Sequence, residues 1–431
     1  MASSSTNSFT GTKETLTDTS SLKFLHKVCR KAIIGQLSKL HTGSLSIKDP
    51  IETFDFIGEH PGPAAEIVIK DFEAYKEIAL AGSIGAAESY MTADWSSDNL
   101  TNVIRVMSLN MDILESMESG MAQLMMPFLR LTHWMNRNST KGAKRNIAAH
   151  YDLGNDFFEL FLDPTMMYSS GVFPTTESTM QDASENKMRL ICEQLDLKPQ
   201  HHVVEIGSGW GSMAIYIAEN YGCEVTTTTI SKEQYEYARQ RIKDKGLEDR
   251  IHLLLEDYRD LEVPKGSKGF DRLVSVEMIE AVGHQYYDEY FATIDSLLAP
   301  HGLALIQAIT IEDHRYQKAK NRVDFIQKYI FPGSCIPSIS AITSSTEKSS
   351  VLRLVKQHDF ADHYARTLKA WHDRLNENRE EITSKGYDEV FFRMWQFYLS
   401  YCEGGFKERA IGVSHLLFAK TLNRTQPRLN G

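Results

Sequence analysis

The stretch His201-His202-Val203-Val204-Glu205-Ile206-Gly207-Ser208-Gly209-Trp210-Gly211 decides the fold. Apolar β-branched residues run into an acid and then into glycines spaced G-x-G-x-G, which reads as a strand, a sharp turn and a helix start. Glycine lets the backbone approach a ligand where a Cβ would collide. A ligand held there sits over a helix N-terminus, at the carboxyl end of a strand. The spacing differs from the G-x-G-x-x-G fingerprint of dinucleotide folds. Taken alone, the segment leaves two readings open: a small-molecule site, or a tight turn with no ligand.

Outward from this segment the chain alternates apolar β-runs with helical patterns. CEVTTTTIS (223–231), IHLLLEDY (251–258), FDRLVSVEMI (270–279) and GLALIQAIT (302–310) read as four further strands. Helical segments lie between them, among them KEQYEYARQRIKDKG (232–246) and QYYDEYFATIDSLLA (285–299). Strands alternating with helices predict a mainly parallel sheet covered on both faces, a doubly wound, Rossmann-like α/β domain. We assign this domain to residues 149–423, with a helical insertion near 312–350. Residues 21–115 read as a smaller mixed α/β domain, and 1–20, rich in Ser and Thr, as a disordered lead-in. Residues 116–148 join the two domains as a Met-rich amphipathic helix and a basic linker.

Composition narrows the function. The 431 residues are 42% hydrophobic and 24% charged, an ordinary globular balance. The net charge of -10 argues against the broad basic footprint of a nucleic-acid binder. The five cysteines are odd in number and unpaired in spacing, which speaks against a disulfide framework or a metal site and for a reducing cytoplasm. The lead-in lacks the apolar stretch of a secretory signal, and no apolar run reaches the ~18 residues of a membrane span. A lipid-directed protein of this kind would be cytoplasmic and meet the membrane peripherally. Its contact is then the Met-rich stretch with Lys141, Lys144 and Arg145, unless that stretch is an interdomain core helix.

The ends of the second and third strands sharpen the ligand. Thr229, Ser231 and Gln234 place hydroxyls and an amide where a dinucleotide site would set an acid for the ribose. Asp257 and Tyr258 place a carboxylate beside an aromatic, a pairing suited to the amine and face of an adenine. Together with Glu205, Gly207, Gly209 and Gly211, these segments point to a methyltransferase that uses S-adenosylmethionine.

From about residue 145 to 420 the chain resembles the cyclopropane-fatty-acyl-phospholipid synthases, relatives of the mycolic acid cyclopropane synthases. The matching blocks, in order, are HYDLGNDFFELFLDPTMMYSS (150–170), EIGSGWGSMAIYIAENYG (205–222), TTISKEQYEYA (228–238), EDYRDL (256–261), FDRLVSVEMIEAVGHQYYDEYF (270–291), KYIFPGSCIPS (328–338), HYARTLKAW (363–371) and YLSYCEGGF (398–406). GAAESYMTADW (85–95) resembles the smaller N-terminal domain of the bacterial phospholipid enzymes more loosely. The resemblance implies that an alkene of an unsaturated phospholipid takes the sulfonium methyl to give a carbocation. A base then removes a proton from that methyl and the ring closes.

In the family that base is a bicarbonate ion held by a Cys, a Glu, a His and a Tyr. Here Glu280 and Tyr364 match the Glu and the Tyr, whereas Ser170 stands at the Cys position and Gln307 at the His position. Ala281 follows Glu280 where the family has His. Tyr168 and Ser169 match residues that touch the cofactor. Gln307 cannot carry a positive charge, so the resemblance predicts a loosely held anion. A methyl-branched or methylene product thereby becomes the alternative to a cyclopropane.

An alkene is a poor nucleophile, and its cation needs a dry, apolar site in which aromatic faces can help. Tyr258, Phe325, Tyr329, Phe331, Trp371 and Trp395 are candidates, most of them plain core. His150 is open between a structural and a substrate-gate role. Two other functions fit the same architecture: an amine N-methyltransferase, and a catalytically silent lipid-binding protein. A homodimer is left open.

Overall fold

The computed structural model describes residues 24–118 and 154–424. The lead-in, nearly all of the Met-rich stretch, the basic linker and His150 lie outside the described residues. The chain forms two compact units, residues 1–120 and 121–431.

The first unit carries a four-stranded sheet of order β2-β1-β3-β4, from β1 (Thr42–Lys48), β2 (Thr53–Ile57), β3 (His60–Ile69) and β4 (Trp95–Ser96). The helices Phe24–Leu37, Glu73–Met91, Leu100–Leu109 and Met111–Glu118 complete it. In β1, Leu45 and Ile47 are buried and alternate with less buried residues, the period-2 pattern of a strand with one covered face.

The second unit holds the predicted doubly wound sheet. Its strands are β5 (His202–Ile206), β6 (Glu224–Thr229), β7 (Ile251–Leu255), β8 (Phe270–Val276), β9 (Leu298–Ile311), β10 (Arg353–Asp359) and β11 (Ile411–Ala419). Their order across the sheet is β10-β11-β9-β8-β5-β6-β7. The five strands read from the sequence are mutually parallel, while β11 runs antiparallel to both β9 and β10. Both faces of β5 are covered. Val204 and Ile206 pack with Phe291 and Ile294 on one side, and Val203 packs with Ile191 and Met213 on the other. Burying each such side chain contributes roughly 1.5–3 kcal/mol. The insertion near 312–350 is helical, with helices Asp313–Ala319 and Ile339–Ser349 flanking a π-turn at Ile326–Ile330.

This topology fixes where a ligand goes. The chain leaves β5 toward β6 on one side, and β8 later joins β5 on the other. The crevice at their carboxyl ends is therefore the switch point of the sheet.

Candidate active site

The glycine turn lies at that switch point. Gly207, Gly209 and Gly211 all have positive φ, at 93°, 50° and 86°. The amides of Gly207 and Ser208 donate to the Thr228 carbonyl, which ties the turn to β6. The first two glycines serve different ends. A Cβ on Gly207 would lie 2.6 Å from Cγ of Met278, whereas one on Gly209 would meet no atom within 4 Å. Gly209 thus keeps an open approach to the backbone, the cradle that a cofactor requires.

The other cofactor candidates gather at the same ends of β5, β6 and β7. Glu205 is buried, accepts from Thr227 Oγ1 at 2.6 Å, and is pushed up to about 8 by burial. Ser231 caps the helix Lys232–Asp244 by accepting from the Gln234 amide, and Thr229 Oγ1 donates to Gln234 Oε1. Asp257 takes a two-pronged ion pair from Arg259, with bonds of 2.8 and 2.6 Å. The Tyr258 ring is buried, edge-on to Tyr290 at 5.5 Å. An adenine at this end would therefore meet a carboxylate already paired and a ring already packed.

The centre of the site is a residue that the sequence reading passed over. Glu277 follows β8 with a φ of +51°, a left-handed conformation that costs a non-glycine residue on the order of 1–3 kcal/mol. Its carboxylate collects three donors. Oε1 accepts from the Ser170 amide at 3.0 Å and from Gln307 Nε2 at 2.8 Å, and Oε2 accepts from the Tyr364 hydroxyl at 2.7 Å. Ser170 Oγ turns away to its neighbour's carbonyl, Gly171 O. Burial raises the Glu277 carboxyl above its ordinary range. The Tyr364 hydroxyl, the Lys187 charge, the Ser170 amide and Gln307 hold it down.

Behind these donors lies a further layer. Gln307 Oε1 meets His415 Nε2 at 3.0 Å, and His415 Nδ1 meets Gln194 Nε2 at 3.0 Å. Because the Gln307 amide nitrogen donates to Glu277, its oxygen must accept, which puts the His415 proton on Nε2. Burial, with Lys187 nearby, lowers His415 to about 3, so it is neutral. Lys187 is wholly buried, donates to Ser169 Oγ at 2.6 Å, and is lowered by burial to about 8 against the pull of Glu277 and Asp163. Glu280 accepts from the Ile309 amide, while its Oε2 is buried and finds no hydrogen-bond partner among the described residues. Burial and then the Glu277 charge push it up to about 8. Of this carboxylate pair, Glu277 has the donors and keeps the charge, and Glu280 holds the proton.

Aromatic rings close around the cluster. Tyr168 lies 5.3 Å from Trp371 and 6.3 Å from Phe331, and its hydroxyl donates to Tyr398 at 3.1 Å. Trp395 packs against Tyr398, Phe157 and Phe161. Phe325 packs instead against Tyr329 and meets Phe397 and Tyr401 edge-on. Tyr258 belongs to the core beneath the sheet.

The structure thus brings Ser170, Gln307 and Tyr364 together, with Glu280 in electrostatic contact, but around a side chain. The donors that the resemblance assigns to a bicarbonate are met here by a carboxylate of the chain itself. The Ser170 amide, the Gln307 amide and the Tyr364 hydroxyl are already committed to Glu277, and a second anion beside that carboxylate would be repelled. Bicarbonate does not fit this site. Lys187 and His415 were also missed. Lys187 had a legible signal, because it lies on the buried stripe of its helix with Ala183, Met188 and Ile191. His415 had none, since only the pairing of β11 with β9 sets it opposite Gln307.

Residues 138–416 match the protein family described as mycolic acid cyclopropane synthetase. The chain is 39% identical over 345 residues to a tuberculostearic acid methyltransferase of Mycobacterium tuberculosis, covering 78% of this chain and 79% of that one. It is 37% identical over 359 residues to the cyclopropane-fatty-acyl-phospholipid synthase of Escherichia coli, covering 83% and 88%. Its fold matches a crystal structure of a mycolic acid cyclopropane synthase in complex with S-adenosylhomocysteine. The TM-score is 0.59 at 29% identity, over 64% of this chain and 98% of that one.

Proposed function

The chain belongs to the mycolic acid cyclopropane synthetase family and is an S-adenosylmethionine-dependent methyltransferase, and on that premise we propose that it adds a methylene to the double bond of an unsaturated fatty acyl chain in a phospholipid, giving a cyclopropane. The observation that carries this reading is the Glu277 carboxylate held by the buried Ser170, Gln307 and Tyr364, with its wall of aromatic rings. An amine acceptor has its own lone pair and needs no such basic cluster. An alkene needs a site that excludes water, tolerates a carbocation and offers a proton acceptor. A silent lipid-binding protein would have no use for the open backbone at Gly209.

S-adenosylmethionine supplies an electrophilic methyl on a sulfonium. Gly207, Gly209 and Gly211 offer it backbone, Tyr168 and Ser169 flank its reactive end, and Thr229, Ser231, Gln234, Asp257 and Tyr258 line its adenosine end, with Glu205 bracing β5 against β6. Lys187 fixes Ser169 from behind. Ser170, Gln307 and Tyr364 hold a negative charge where the cation forms. Glu280, kept protonated, leaves Glu277 as the one anion of the pair.

Among the described residues no helix is long and apolar enough to cross a membrane. The enzyme meets its phospholipid peripherally, from the cytoplasmic side. One relative's name keeps a second product in view: it is called a methyltransferase and not a cyclopropane synthase. The test is expression in a bacterium lacking its own such enzyme, followed by fatty-acid profiling. The reading expects acyl chains heavier by one carbon and two hydrogens, with upfield cyclopropane protons by NMR. Olefinic or methyl-branch signals alone would transfer the assignment to the open-chain product, and unchanged fatty acids would refute both.

A further inference from the structure

We propose that the Glu277 carboxylate is the base of the reaction: it takes the proton from the transferred methyl and so closes the ring. This rests on the alkene-methylation reading above. The steps balance without an added anion. The alkene π pair forms a C–C bond to the methyl as the C–S bond breaks, leaving S-adenosylhomocysteine and a cation on the second alkene carbon. A proton then passes from the new methyl to a Glu277 oxygen, and the released C–H pair forms the second C–C bond. Glu277 ends as a neutral carboxylic acid and loses its proton to solvent before the next turnover.

Three observations converge on this residue. Its carboxylate occupies the meeting point of the Ser170 backbone amide and the Gln307 and Tyr364 side chains, at the positions that the resemblance assigns to a free anion. Its backbone is held in a left-handed conformation, strain of the kind that persists where a site requires it. And it is half-buried, with both oxygens accepting hydrogen bonds and the charge of Lys187 nearby, an arrangement that holds the anion and lets it gain a proton without leaving its partners. A covalently attached carboxylate also spares the entropy of capturing an ion at each turnover. Gln307 then makes sense where the resemblance calls for His. A neutral amide, oriented by His415, suffices to hold a tethered carboxylate, although it would be a weaker partner for a mobile one.

The test compares full-length wild type, Glu277→Gln and Glu277→Gly on vesicles of dioleoylphosphatidylglycerol, in CO2-free buffer and with added bicarbonate. Wild type should form cyclopropane equally in both buffers. Glu277→Gln should lose ring formation by roughly 10²- to 10⁴-fold in either, because the amide fills the site and is no base. Glu277→Gly should lose as much in CO2-free buffer and recover at least roughly tenfold with bicarbonate, which its freed donors can now hold.

Line broadening of ¹³C-bicarbonate gives a readout without substrate: Glu277→Gly should broaden it, and wild type and Glu277→Gln should not. Glycine relieves the positive φ and glutamine keeps the shape, so both variants should fold and bind S-adenosylmethionine. Wild-type dependence on bicarbonate, wild-type broadening, or near-normal ring formation by Glu277→Gln would each overturn the proposal. If wild type leaves the vesicles unmodified while only Glu277→Gly broadens bicarbonate, the placement of Glu277 is supported and the lipid substrate is what fails.

Discussion

Replacing Tyr364 with Phe removes one hydrogen-bond donor and little else. The ring stays packed against Phe406, with centroids 4.4 Å apart, and edge-on to Trp371 at 6.2 Å. What is lost is the 2.7 Å hydrogen bond to Glu277 Oε2. A buried hydrogen bond to a charged group contributes about 1.5–3 kcal/mol. One pKa step corresponds to about 1.4 kcal/mol, so the Glu277 carboxyl should rise by about one to two units. The sign follows from the donor: it stabilises the anion alone, and without it the proton binds more tightly. Lys187, which pulls Glu277 down, is untouched, as is Glu280, whose proton keeps a second charge away. The assay is kcat/KM for lipid methylation against pH. Its acid limb should move up by about one to two pH units, with a smaller loss on the alkaline plateau. A limb that stays in place while activity falls equally at every pH would refute the reasoning and leave Tyr364 a packing residue.

Gly209→Val should abolish S-adenosylmethionine binding by calorimetry, because an added Cβ meets no protein atom within 4 Å and projects into the open approach, although the φ of +50° makes the change strained and folding must be checked by circular dichroism; unchanged affinity would remove this turn from the site. Glu280→Gln should flatten the pH dependence of stability. The native carboxyl, at about 8, keeps a proton that the unfolded chain releases near ~4.3, so wild-type stability falls as pH rises between those values, by up to about 5 kcal/mol for this group. Denaturant titrations from pH 5 to pH 8 should therefore slope less in the variant, and identical slopes would contradict the buried, protonated Glu280. Lys187→Met should depress activity near neutral pH and restore it partly at alkaline pH, because Glu277 loses its counter-charge and rises; a loss independent of pH would count against that role.

The parts of the fold that sequence revealed are those written in local pattern. β5, β8 and β9 are apolar runs buried on both faces, β6 is a buried β-branched run, β7 is a short apolar run at the sheet edge, and the glycine turn announces its positive φ. β10 and β11 escaped for a physical reason. β10 alternates Arg353, Lys356, Gln357 and Asp359 with few apolar residues, as an exposed edge strand does, and β11 gains its place only by antiparallel pairing far along the chain. The site divides in the same way. Gly207 and Gly209 are legible from backbone chemistry, whereas Ser170, Gln307, Glu280 and Tyr364 were reached only through resemblance. Glu277 was passed over because it ends an apolar strand and looks like the first solvated residue after it. Its importance comes from a left-handed φ and three donors drawn from distant segments, none of which is encoded next to it in the chain.

The central claim is methylene transfer to a lipid alkene, and the most direct measurement follows the transferred carbon. The purified full-length enzyme is incubated with S-adenosylmethionine carrying a ¹³C methyl and with vesicles of dioleoylphosphatidylglycerol, and the extracted lipid is read by carbon and proton NMR. The account predicts one labelled carbon per modified chain, in a cyclopropane methylene whose protons lie far upfield. Label confined to a head-group nitrogen or oxygen, or absent from the lipid while the enzyme binds S-adenosylmethionine, would contradict it.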